Sequence, residues 1–122
     1  MYKLSELESW KSSRRLRLAI SELAKSFPVD EKFRLQDQIL RSSRSVAANI
    51  AEGFGRFHYQ ENIQFCRIAR GSLYETLEHL MCAKDEGFIN DEQFNNTNEL
   101  ILECLKILNS YVQYLKKAKK ST

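Results

Sequence analysis

Four glycines and one proline in 122 residues are too few for a turn-rich chain. All-β sandwiches, collagen-like repeats and disordered linkers use far more of both, so this backbone is expected to run in long regular elements. Cysteine is scarce as well. Cys66, Cys82 and Cys104 are odd in number, widely spaced and set in apolar helical patterns rather than in Cys-x-x-Cys pairs. A disulfide framework or zinc knuckle is therefore disfavoured, and reduced thiols in a cytoplasm are expected. No stretch approaches the roughly 18 consecutive apolar residues of a membrane span, and acids at Glu6 and Glu8 interrupt what a signal peptide would need at the start. The expectation is a cytoplasmic protein with no membrane partner.

What is present is 43% hydrophobic and 29% charged, enough for one core in a single domain over residues 1–122. Charge is unevenly placed. All nine arginines lie in residues 1–70, which hold 13 basic and 8 acidic groups, whereas residues 71–115 hold 2 and 8 and the last seven residues add four lysines. Such a chain has a basic side and an acidic side, suited to a polyanion or to stacking against copies of itself.

The apolar spacing predicts four helices, over about 7–26, 31–52, 59–86 and 91–118. Pro28 divides the first two, with Asp30 expected to cap the second. Gly53 and Gly55 are expected to end the second helix in the left-handed conformation, and Gly87 the third. Gly71, inside the third helix, costs about 1 kcal/mol against Ala, which predicts a close approach by the small residues of the second helix, near Arg41, Ser42 and Ser43. The fourth helix carries Phe94, Asn98, Ile101, Leu105, Leu108, Val112 and Leu115 in a heptad. A second seam lies beside it, Leu100, Cys104, Ile107, Tyr111 and Tyr114, wide enough to bury part of its face against another subunit. Short connections make this an all-α, up-down-up-down antiparallel four-helix bundle.

Catalytic patterns are missing. His58 and His79 lack the spacing of a helical metal site, Glu75-x-x-Glu78-His79 has no second copy, and no Gly-x-Ser-x-Gly elbow exposes a nucleophile. Gly53-Phe54-Gly55-Arg56 ends a helix instead of opening one after a strand, unlike a phosphate loop. No enzyme activity, metal or cofactor is expected. Polar residues on the two middle helices suggest a network tying them together, with Arg41 or Arg44 pairing to Glu75 and Arg70 bonding toward the second-helix serines. The candidate phosphate contacts are Lys11, Arg14, Arg15, Arg17, Arg34, Arg41, Arg44 and Arg56, with Lys116, Lys117, Lys119 and Lys120 in the tail. The isoelectric point near 8.8 is modest for such a role.

The run Ser45-Val46-Ala47-Ala48-Asn49-Ile50-Ala51-Glu52-Gly53, preceded by Gln38 and Arg41-Ser42-Ser43 and followed by Phe65-Cys66-Arg67-Ile68-Ala69-Arg70-Gly71-Ser72-Leu73-Tyr74-Glu75, resembles the four-helix-bundle proteins encoded in intervening sequences of bacterial 23S ribosomal RNA genes. It is more distantly similar to the accessory protein of diversity-generating retroelements, which binds a reverse transcriptase and nucleic acid. The resemblance spans nearly the whole chain and implies a bundle that often assembles as a homopentamer. It transfers no catalytic residue. Asn49, Glu52, Gly53, Arg70, Gly71, Ser72 and Glu75 match as signature positions, with an inferred role in helix packing or interface formation. The expected function is a non-enzymatic oligomer that binds RNA, DNA or a nucleoprotein partner; the alternative is an assembly scaffold without nucleic acid.

Overall fold

Each apolar stripe needs a neighbour to bury it, and four helices satisfy one another around a single core. A computed structural model describes residues 2–121. It contains α1 (Glu8–Ala24), α2 (Leu35–Phe54), α3 (Tyr59–Asp85) and α4 (Asp91–Lys120), with 3-10 turns at Leu4–Glu6 and Val29–Glu31. α1 and α3 each pack on both α2 and α4, and the α2–α3 seam is the most extensive, giving the antiparallel up-down-up-down bundle. Leu16 and Ile20 of α1, Ile39, Val46 and Ile50 of α2, Leu73 and Leu80 of α3, and Ile101 and Leu108 of α4 are essentially sealed from solvent. Burying each such side chain contributes about 1.5–3 kcal/mol.

α2 begins later than its sequence suggests. Pro28 leads into the 3-10 turn, and the chain does not become α-helical until Leu35, the first residue of the buried stripe. Lys32 and Phe33 offer the core nothing, Phe33 being 86% exposed, so no burial sustains a helix there. The capping role expected of Asp30 falls instead to Glu31, whose carboxylate accepts from the Leu35 N–H at 3.3 Å.

The glycines also depart from expectation. α2 runs through Gly53 to Phe54, and neither Gly53 nor Gly55 has a positive φ. Gly53 is there because nothing larger fits: a Cβ would stand 2.6 Å from Asn62 Oδ1 and 2.9 Å from Phe65 Cβ of α3. Gly71 shows the reverse, an exposed position where a Cβ would meet nothing within 4 Å. The α2–α3 register explains this, because Ser45 and not Arg41 lies opposite that part of α3: Ser45 Oγ is 2.9 Å from Ser72 Oγ. Gly87 does take the left-handed conformation, φ 76°, with Phe88 N–H bonding Ala83 O and Gly87 N–H bonding Lys84 O. That is a Schellman stop. Three residues on, Asn90 Oδ1 accepts from Gln93 N–H and Gln93 Oε1 from Asn90 N–H, both at 2.8 Å, a capping box that starts α4.

Candidate nucleic-acid interface

The link between α2 and α3 is made of hydroxyls, not of the expected ion pairs. Thr76 Oγ1 lies 2.9 Å from Ser42 Oγ and 2.8 Å from the Ser72 carbonyl, and Asn49 Nδ2 donates to the Ser45 carbonyl and hydroxyl. Small hydroxyls fit a close seam at little desolvation cost, whereas a guanidinium does not. Arg41 turns along its own helix to Asp37 at 3.2 Å, Glu75 bonds His79 at 3.3 Å, Arg44 is exposed, and Arg70 lies over the Tyr74 ring at 5.6 Å. Of the signature positions, Gly53 and Ser72 touch the seam directly, and Asn49 bonds the seam residue Ser45 within its own helix. Glu52, Arg70, Gly71 and Glu75 face outward.

Several candidate phosphate contacts on α1 and α2 already have carboxylate partners. Lys11 pairs with Glu8 at 3.3 Å, Arg15 with Glu103 of α4 at 2.8 Å, and Arg34 with Glu31 at 4.0 Å. Arg56 stands between Glu52 and Glu61, 3.5 Å from each, over the Phe65 ring. Exposed pairs of this kind contribute only about 0–1 kcal/mol, but each carboxylate cancels the field its partner would present to a polyanion. Arg14, Arg17 and Arg44 have no carboxylate partner among the described residues.

The tail behaves differently. Gln113, Lys116, Lys117 and Lys120 recur at helical spacing on one side of α4, and Gln60, Ile63 and Arg67 do the same on α3. The antiparallel pairing of α3 with α4 brings the two rows together around a cleft of about 480 Å³. Lys119, also on its wall, donates to Gln60 Oε1 at 2.6 Å. Five cations, and no carboxylate among the described residues, line this hollow. The uncapped start of α3 lies at the same end, since the His58 side chain bonds no backbone N–H of its first turn, and the positive end of a helix dipole reinforces the field. Arg67 and the two glutamines were absent from the sequence candidates. Their shared spacing with the lysines was the signal, but it acquires meaning only once α3 is set against α4.

The three cysteines are free thiols. Burial pushes the Cys66 and Cys104 thiols up to about 11, and partial burial followed by the Glu78 carboxylate raises Cys82. Among the described residues, no group of His, Cys, Asp and Glu could hold a metal ion, and no helix is long and apolar enough to cross a membrane.

The family model of the 23S rRNA-intervening sequence protein matches residues 5–110. The chain belongs to this family. A solved member of the S23 ribosomal protein family, a protein of unknown function from Bacteroides thetaiotaomicron, is 28% identical and superposes with a TM-score of 0.79 over 85% of this chain and 97% of its own. No curated protein gives a significant match. The family match stops short of Lys116, so the basic cleft draws on both matched and unmatched parts of this intervening-sequence protein.

Proposed function

We propose that this protein is a non-enzymatic, cytoplasmic homo-oligomer that binds nucleic acid through the cleft between α3 and α4. The observation that carries the reading is the convergence of Arg67, Lys116, Lys117 and Lys120 on one concave surface with no carboxylate among the described residues. Such a surface suits a phosphate backbone, because bound phosphates replace condensed counterions and the gain depends on unneutralised cations. Arg14, Arg17 and Arg44 add cations on α1 and α2 that have no carboxylate partner among the described residues. Assembly has its own support in Leu18, Ile68, Tyr74, Met81 and Leu102, large apolar side chains between 45% and 53% exposed.

The test is fluorescence anisotropy with a labelled structured RNA at 50 and 300 mM salt, paired with light scattering to give the subunit count. Affinity is expected to fall steeply with salt, and R67E/K116E/K117E/K120E should abolish binding while leaving the melting temperature and oligomer unchanged. Unaltered binding by that variant, or none by the parent at 50 mM, overturns the reading. If the variant dissociates the oligomer instead, the basic surface serves assembly and the protein is a scaffold.

A further inference from the structure

At the same end of the bundle a larger hollow, about 740 Å³, opens between the start of α1, the α2–α3 loop and the C-terminal half of α4. Its lining is aromatic. Tyr111 and Tyr114 stack with centroids 6.3 Å apart and planes 12° from parallel, and Phe57, Tyr114 and Tyr2 stand at the rim 92%, 61% and 53% exposed. Three aromatic rings left in water around one concavity are surface that a partner would bury.

The polar groups in the hollow are incompletely used. Asn62 Nδ2 donates to the Tyr111 hydroxyl at 2.9 Å, so the phenol acts as acceptor and its own proton has no acceptor among the described residues. Ser9, on the wall and 1% exposed, has the one buried side-chain oxygen among the described residues that lacks a hydrogen-bond partner. Asn62 Oδ1 in turn accepts from Cys66 Sγ at 3.6 Å, and the space beside it at Gly53 has no room for a Cβ. The Tyr111 hydroxyl is thus a positioned donor.

Charge narrows the occupant. Arg56 is neutralised by Glu52 and Glu61, and Glu8 pairs with Lys11, leaving Lys106 as the unpaired cation of the lining among the described residues. With a single unpaired cation, the hollow carries far less positive charge than the neighbouring cleft and suits a planar group with a hydrogen-bond acceptor, the phosphates falling to the cleft. The two hollows meet at the α3–α4 seam: Tyr59 and Gln60, Asn62 and Ile63, and Leu115 and Lys116 are successive residues that line one and the other.

We propose that this hollow takes the base of an unpaired nucleotide, stacked on the Tyr111–Tyr114 pair and accepting from the Tyr111 hydroxyl. The proposal rests on the nucleic-acid reading above, with the flanking phosphates in the basic cleft. It makes the protein a reader of unpaired strands rather than of duplex, since a stacked and paired base cannot enter a pocket.

The test uses the full chain and a single-stranded oligonucleotide carrying one central 2-aminopurine, with a fully paired duplex and free adenosine monophosphate as parallel arms. Stacking should quench the probe on saturation, and the single strand should bind more tightly than the duplex. Y114A and F57A, both at exposed positions and so harmless to folding, should each weaken the single strand about five- to a hundredfold and restore fluorescence, leaving the salt dependence intact. R67E/K116E/K117E/K120E should instead abolish binding of the strand at low and at high salt alike. If the strand binds but neither aromatic variant matters, the base pocket is overturned and the cleft reading stands. If the strand fails but free adenosine monophosphate shifts the Tyr111 and Tyr114 NMR signals, the pocket holds and the nucleic-acid reading falls. Failure of both ligands, or loss of the oligomer in Y114A, overturns the pocket as a base site.

Discussion

The two ends of the bundle are built on different principles. Where α3 turns into α4, local signals close the chain: a Schellman stop on Gly87, a capping box from Asn90 and Gln93, buried Ile89, and Phe27 packed 6.1 Å from Phe88, although the neighbouring α1–α2 connection leaves Val29 and Phe33 exposed. At the other end α3 starts without a side-chain cap, Phe57 stands almost wholly in water, and two hollows of about 740 and 480 Å³ flank the seam. The α3–α4 turn has spent its local options on stability. Exposed rings and clustered like charges at the other are costs that natural sequences tolerate where a surface is used. The difference teaches that the place where local rules are broken is a guide to the site.

The comparison can be broken most forcefully at Gly53, the contact that shapes the open end. G53A should destabilise the protein by about 1–3 kcal/mol in urea titration, because the new methyl meets Phe65 Cβ and the Asn62 carbonyl, neither of which can swing aside. G55A, two residues on and facing only its own helix at 3.6 Å, should lie within about 0.5 kcal/mol of the parent. Equal effects at the two glycines would remove the case for a close approach at this end.

Exchanging the caps sharpens the contrast at smaller magnitude. N90A should cost about 1 kcal/mol by deleting the capping box, while H58S, at a position already extended at φ −97° and ψ 136°, should gain about 0.5–1 kcal/mol by supplying the missing cap. Thermal melts would show the two shifts with opposite sign. A loss from H58S would mean that His58 holds the open end in a way the contacts do not reveal.

The smallest effect lies between the ends. G71A should stabilise by about 0.5–1 kcal/mol, since the site is helical, exposed and empty. If light scattering finds instead that G71A dissociates an oligomer, the open face of α3 is where another subunit approaches.

The helices were legible because their evidence is periodic and local. The stripe Leu35, Ile39, Val46, Ile50 and the stop at Gly87 can be read without knowing any neighbour, and they appear as expected. Where the reading went astray, the deciding partner was distant in sequence. Gly53 looked like a left-handed stop, yet its reason is Asn62 and Phe65 across the seam. Arg41 looked like a partner for Glu75, but the register that opposes Ser45 to Ser72 leaves each to its own helix. The candidate cations were found by type, and five of the eight outside the tail turned out to be paired. Arg67, which completes the cleft, was missed as a phosphate contact because its companions lie about fifty residues away.

The amino-acid pattern alone determined the all-α class, the number of helices, their order and the family, since 3.6-residue periodicity, scarce turn residues and a signature run are properties of the chain itself. Tertiary structure alone decided which charges remain unneutralised and which rings face one hollow, because those depend on helix register, and a shift of one turn along the α2–α3 or α3–α4 seam changes every cross-helix neighbour without altering any helix.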